Sequence, residues 1–149
     1  MAIITAAALL FAGQGDFLIL SHGRTGERLA AYRLEPGERF AVTFIHSVNK
    51  SPVTDVYEIR DGQLYVAETI YDSFGAGMET TLLPGEHLSY RDGAMVISFD
   101  DHPVDEVRYV VGTVSDHILT LKGREISLRD SFGRSTQVRF HTGSYFSGV

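Results

Sequence analysis

Asp61-Gly62 lies between two runs of alternating apolar and polar residues, 53–60 and 63–71. A two-residue Asp-Gly connection is the strongest short-range signal for a type I′ hairpin, because both turn residues need positive φ. That turn sets a register. Arg60 should pair with Gln63, Ile59 with Leu64, Tyr57 with Val66, Asp55 with Glu68 and Val53 with Ile70. The apolar face of the hairpin then carries two carboxylates directly opposite each other. Like charges so placed repel, so the pairing calls for a shared proton, a cation or exposure to solvent.

The preceding run alternates Phe40, Val42, Phe44 and His46 with Arg39, Ala41, Thr43 and Ile45. A four-residue loop over 48–51, ended with the help of Pro52, would place His46 opposite Val53 and Phe44 opposite Asp55. His46 would then be a diagonal neighbour of Asp55 on the same face, at ~7–8 Å. A histidine and two carboxylates are thus expected to converge at one end of a greasy sheet face. The histidine's place depends on the loop length, since a slip of one residue sends it to the other face.

The rest of the chain repeats the pattern. Apolar runs at 17–21, 29–34, 88–90, 95–99, 107–111, 117–121, 126–128 and 136–140 alternate with turn residues, including Arg91-Asp92-Gly93 and Lys122-Gly123-Arg124. No amphipathic helix of ten or more residues is evident. Strands at such spacing predict an all-β fold, an antiparallel β-sandwich or partly closed barrel of about ten strands built from consecutive hairpins. With 149 residues, one domain over 14–149 is expected.

The formal net charge is −6 with scattered acids, which argues against nucleic acid as a partner. The chain has no cysteine, which removes disulfides, thiolate catalysis and Cys-ligated zinc. Residues 2–12, AIITAAALLFA, are too short to span a bilayer, which takes ~20 residues. They have the character of a signal-peptide core without a basic residue before it, so 1–13 reads either as the remnant of an export signal or anchor, or as a first strand or short helix.

The segments FIHSVNKSPVTDVYEI and ETIYDSFGAGM together resemble a bacterial family, domain of unknown function 1850. Its pattern is an HSV-type motif, then Pro-Val and an acid, then ET-x-Y-x-S-[FY]-G-A-G. His46, Ser47, Val48, Pro52, Val53, Asp55, Glu68, Thr69, Tyr71, Ser73, Phe74, Gly75, Ala76 and Gly77 match it in order, with Asp55 in place of the more usual Glu. Members of that family are small proteins encoded beside TRAP transporters of the TAXI subtype, solute importers that use an extracytoplasmic binding protein. The resemblance implies a periplasmic or extracellular accessory role, with the membrane or solute-binding component of the transporter as partner and the N-terminal run as a candidate anchor. It implies no chemistry.

His46, Asp55 and Glu68 are the candidate metal ligands, since one imidazole and two carboxylates suit a divalent cation. Their spacing matches no established metal motif, and a buried polar network neutralised by His46, Lys50 or an arginine is the competing reading. Ser47 is no nucleophile, because adjacent strand residues point to opposite faces and no Gly-x-Ser-x-Gly elbow exists. Phe74, Gly75 and Gly77 could form a backbone nest for the carboxylate or phosphate of a small anionic solute, or merely a bend where the strand leaves the sheet. The expected ligand- or partner-binding surface is therefore His46, Ser47, Lys50, Asp55, Glu68, Tyr71, Ser73, Phe74, Gly75 and Gly77. The reading is a non-enzymatic accessory protein with no required cofactor. Its alternative is a small metal-binding protein or metal-dependent enzyme using His46, Asp55 and Glu68.

Overall fold

The structure is a computed structural model that describes residues 16–73 and 81–143. The N-terminal run, the tail after Gly143 and the Phe74, Gly75 and Gly77 loop lie outside the described residues. Among the described residues, twelve strands form two antiparallel sheets, and neither closes into a barrel. In chain order they are β1 (Asp16–His22), β2 (Arg28–Leu34), β3 (Arg39–Ile45), β4 (Pro52–Arg60), β5 (Gln63–Tyr71), β6 (Glu86–Arg91), β7 (Ala94–Phe99), β8 (Pro103–Val104), β9 (Glu106–Val110), β10 (His117–Leu121), β11 (Arg124–Ser127) and β12 (Gln137–Gly143). The smaller sheet runs β2-β1-β12-β9. The larger runs β11-β10-β3-β4-β5-β7-β6, with β8 also paired to β5. One short helix, α1 (Leu128–Phe132), follows β11, capped by Ser127, whose side chain accepts from the Asp130 amide. The fold is all-β as predicted, and of the two predicted forms it is the sandwich and not the barrel.

The turn chemistry accounts for the hairpins. Asp61-Gly62, Asp92-Gly93 and Lys122-Gly123 all have positive φ at both positions, so each closes a two-residue turn. The core lies where the two sheets face each other. Leu18, Leu20, Phe40, Val42, Leu64, Leu119, Val138 and Phe140 are fully buried there. No residue of β6 or β7 belongs to that core cluster. The larger sheet therefore extends past the edge of the smaller one.

The predicted register holds from the Asp61-Gly62 turn as far as Tyr57 opposite Val66, and then shifts. An extra residue, Ala67, enters β5, so Val56 faces Glu68, Asp55 faces Thr69 and Val53 faces Tyr71. This is a β-bulge, and it falls where β5 exchanges one neighbour for another. Leu64 and Tyr65 pair with β8, whereas Glu68 to Tyr71 pair with β7. A bulge at such a junction re-aims the strand and its side chains. Here it turns Glu68 to the outer face and leaves Asp55 on the inner one. The expected apposition of the two carboxylates is corrected, and no shared proton or cation is needed to hold them.

The outer face supplies Glu68 with arginines. Arg91 lies 2.8 Å from its carboxylate and Arg39 4.0 Å. Arg39 and Arg60 also flank Glu58, at 3.3 and 3.0 Å. The hydrogen bond from Arg91 holds the Glu68 carboxyl below the usual carboxylate range. These are surface pairs of modest worth. Glu68→Gln should therefore lower stability, by about 0.3–1 kcal/mol, with an effect that shrinks as salt is added. Chemical denaturation at two ionic strengths checks this. A gain in stability would restore the apposed-carboxylate register.

Candidate functional site

Asp55 is the centre of a hydrogen-bonded cluster that crosses the sandwich. Its Oδ1 accepts from Thr69 Oγ1 at 2.9 Å and its Oδ2 from the Tyr109 hydroxyl at 2.8 Å. The Tyr109 hydroxyl also lies 2.5 Å from that of Tyr57. Asp55 and Tyr57 stand on β4 of the larger sheet, and Tyr109 on β9 at the edge of the smaller. Burial raises the pKa of both phenols well above the ordinary tyrosine value, and the Asp55 carboxylate adds to it. Both hydroxyls stay protonated, so Asp55 has a donor on each of its oxygens. Among the described residues there is no group of three His, Asp or Glu side chains able to hold one ion.

The predicted convergence of His46 with these acids is corrected as well. Phe44 pairs with Val53 and Ile45 with Pro52, so the loop holds six residues, 46–51, rather than four. His46 closes that loop instead of sitting on the sheet face. Its backbone amide donates to Ser51 O at 2.9 Å and its carbonyl accepts from the Lys50 amide at 3.0 Å. Its ring Nδ1 accepts from the amides of Val48 and Asn49, at 3.2 and 3.3 Å. Lys50 takes a positive φ of 57°.

The loop forms one wall of a cleft of about 250 Å³ at the ends of β3 and β10. The lining side includes His46, Ser47, Lys50, Thr113, Ser115 and His117. The opposite wall is the 112–116 turn, which carries the chain from one sheet to the other. It is so tight that a Cβ on Gly112 would sit 2.1 Å from Ser115 O. The Gly112 amide donates to His117 Nδ1 at 3.4 Å. Behind the cleft, the His117 ring stacks on Phe44, with ring centres 5.4 Å apart, and Phe44 in turn contacts Tyr109. Asp116 is next to His117 but not part of the cleft lining, and its carboxylate is taken up by the Ser127 hydroxyl and the amides of His117 and Arg129.

A second cleft, of about 330 Å³, lies where the larger sheet overhangs. It is lined by Thr69, Tyr71, Thr81, Leu83, Glu86, Ile97 and Phe99. Burial raises the Tyr71 pKa, and the Asp55 and Glu86 carboxylates raise it further. The predicted surface is thus divided four ways. His46, Ser47 and Lys50 line the first cleft, Tyr71 lines the second, Asp55 ties the sheets together, and Glu68 joins the outer arginines. Ser73 is exposed beyond the end of β5. Tyr57, Thr69, Tyr109, Gly112 and His117 were not among the predicted residues. Thr69 and Tyr71 are neighbours in the ET-x-Y motif, which pointed at that strand; Tyr109 and His117 lie outside the motif.

The fold and these two clefts define a small β-sandwich with a polar cleft at one end and a partly apolar one at an overhang. The family described as domain of unknown function (DUF1850) matches residues 40–128, and the chain belongs to it. Comparison with curated proteins and with solved structures gives no match.

The cluster and the half-buried histidines make two predictions. Tyr109→Phe removes a donor from Asp55 and a partner from Tyr57, and should destabilise by about 1–3 kcal/mol in chemical denaturation. The second concerns pH. Burial lowers the pKa of His117 and of His141. The unfolded chain then takes up protons before the folded one does, so stability should fall as pH drops below about 6.5. The raised tyrosines act at the other extreme, and their contribution should be lost as pH rises above about 10. Melting temperatures across pH 5–11 check both limbs, and Tyr109→Phe should weaken the alkaline one.

Proposed function

We propose that the chain is a non-enzymatic extracytoplasmic accessory protein of a TAXI-type TRAP transport system, where it binds a transporter component or its solute. The observation that carries this reading is the overhang. Among the described residues, β6 and β7 of the larger sheet contribute nothing to the core between the sheets, and the cleft there is walled by Ile97, Phe99 and Leu83 with Thr69, Tyr71 and Glu86 among them. An apolar surface with a few convergent polar groups is what a binding site requires. Leu83, Leu88 and Tyr90 add exposed apolar area on β6 and the loop before it. Tyr71 and Thr69 belong to the motif that carries the family resemblance, and the transporter link follows from that resemblance. The inner acid, Asp55, serves the sandwich rather than a reaction, because Thr69 and Tyr109 occupy its oxygens.

The test is co-purification of the tagged protein with the transporter's membrane and solute-binding components from native membranes, together with solute uptake in a deletion strain. The wild-type chain should bring down one of those components. Ile97→Glu, which places a charge on the cleft wall and leaves the sandwich core intact, should reduce recovery and uptake at least fivefold, the scale set by burying an unpaired charge. Unchanged uptake in the deletion strain, with neither component recovered, would overturn the reading.

A further inference from the structure

We propose that the cleft between the 46–51 loop and the 112–116 turn is a binding site for the carboxylate group of a small organic acid. The site goes beyond the overhang and the transporter link, and does not depend on either. Several polar atoms of the cleft are already engaged by the backbone. The Nδ1 of His46 accepts from two backbone amides, those of Val48 and Asn49. The Nδ1 of His117 accepts from the amide of Gly112. A neutral imidazole has one N–H, and when Nδ1 is an acceptor the proton sits on Nε2. The backbone thus sets both rings as Nε2–H donors, and both rings line the same cleft.

The charge balance points the same way. The chain has two lysines. Lys122 pairs with Glu38 at 3.3 Å, whereas Lys50 has no ion pair among the described residues. Lys50 lines the cleft from a left-handed backbone position, φ 57°, that ordinarily favours glycine or asparagine. The hydroxyls of Ser47, Thr113 and Ser115 complete the polar lining, and no carboxylate belongs to it. One ammonium, two neutral N–H donors and three hydroxyls make a site rich in donors with a single positive charge. That charge matches a carboxylate better than a phosphate dianion, and charge-assisted hydrogen bonds to a carboxylate are the stronger kind.

The experiment titrates the purified, ¹⁵N-labelled chain with succinate and, in a separate arm, with inorganic phosphate. The backbone amides of Gly112 to Ser115 and the imidazole nitrogens of His46 and His117 are followed by NMR. Before any addition, both imidazoles should show the Nε2–H tautomer. Succinate should shift these signals saturably. Lys50→Gln should weaken that binding about tenfold, the loss expected of one charged hydrogen bond. His46→Asn is the variant that separates binding from folding. The asparagine Oδ1 can still accept from the Val48 and Asn49 amides and keep the loop closed, while the Nε2 donor is lost. It should melt as the wild type does and bind at least fivefold more weakly, on the same scale. Saturable binding of phosphate but not of succinate would overturn the carboxylate assignment. No saturable shift with either, or binding indifferent to Lys50→Gln and His46→Asn, would overturn the site.

Discussion

One extra residue in β5 decides where the polar groups of this protein go. A regular ladder from the Asp61-Gly62 turn would set Asp55 against Glu68 inside the sandwich, two negative charges on a surface that must be buried. Ala67 interrupts that ladder, and every residue beyond it changes face. Glu68 then meets Arg91 and Arg39 in partial contact with water. Asp55 meets the hydroxyls of Thr69 and Tyr109, and a half-buried carboxylate with two donors can be tolerated where an apposed pair cannot. The cross-sheet bond from Tyr109 then fixes the edge strand β9 over β4, and the turn that follows β9 forms a wall of the polar cleft.

The same step produces the overhang. At the bulge β5 leaves β8 and takes up β7, so the larger sheet continues outward while the smaller one stops at β9. The aromatic side chains join these regions. Tyr57 stacks near Phe40, Phe40 near Phe140, and Phe140 meets Tyr109 edge-on. Phe44 continues the series from Tyr109 to His117 at the cleft. The cleft wall is therefore built on the packed core, a rigid footing that lets a short polar loop hold its donors in place.

Much of the fold was legible because turn chemistry is local. Asp61-Gly62, Asp92-Gly93 and Lys122-Gly123 announced their hairpins, and the alternation around them marked the strands, so an all-β sandwich or partly closed barrel followed, and the two open sheets make it a sandwich. The bulge was not legible. Ala67 suits a regular strand as well as a bulge, and its role depends on β7 and β8, which are distant in sequence. The six-residue loop was hidden for a similar reason, since His46 continues the alternation of β3 and only its bonds to Ser51, Val48 and Asn49 show that it has left the strand. His46, Lys50 and Asp55 were recognised as a polar concentration, but their sorting into cleft and interior needed the register. Tyr109 and His117 had no signal of their own, because a tyrosine in an apolar run and a histidine at a strand start both read as ordinary sheet residues.

The placement of the polar groups depends on that register, and cross-strand proton contacts in NMR spectra measure it directly. The bulged pairing predicts contacts between Asp55 and Thr69 and between Val56 and Glu68, together with Tyr57 to Val66 on the turn side. Contacts of Asp55 with Glu68 and of Val56 with Ala67 would mean an uninterrupted ladder, and would contradict it.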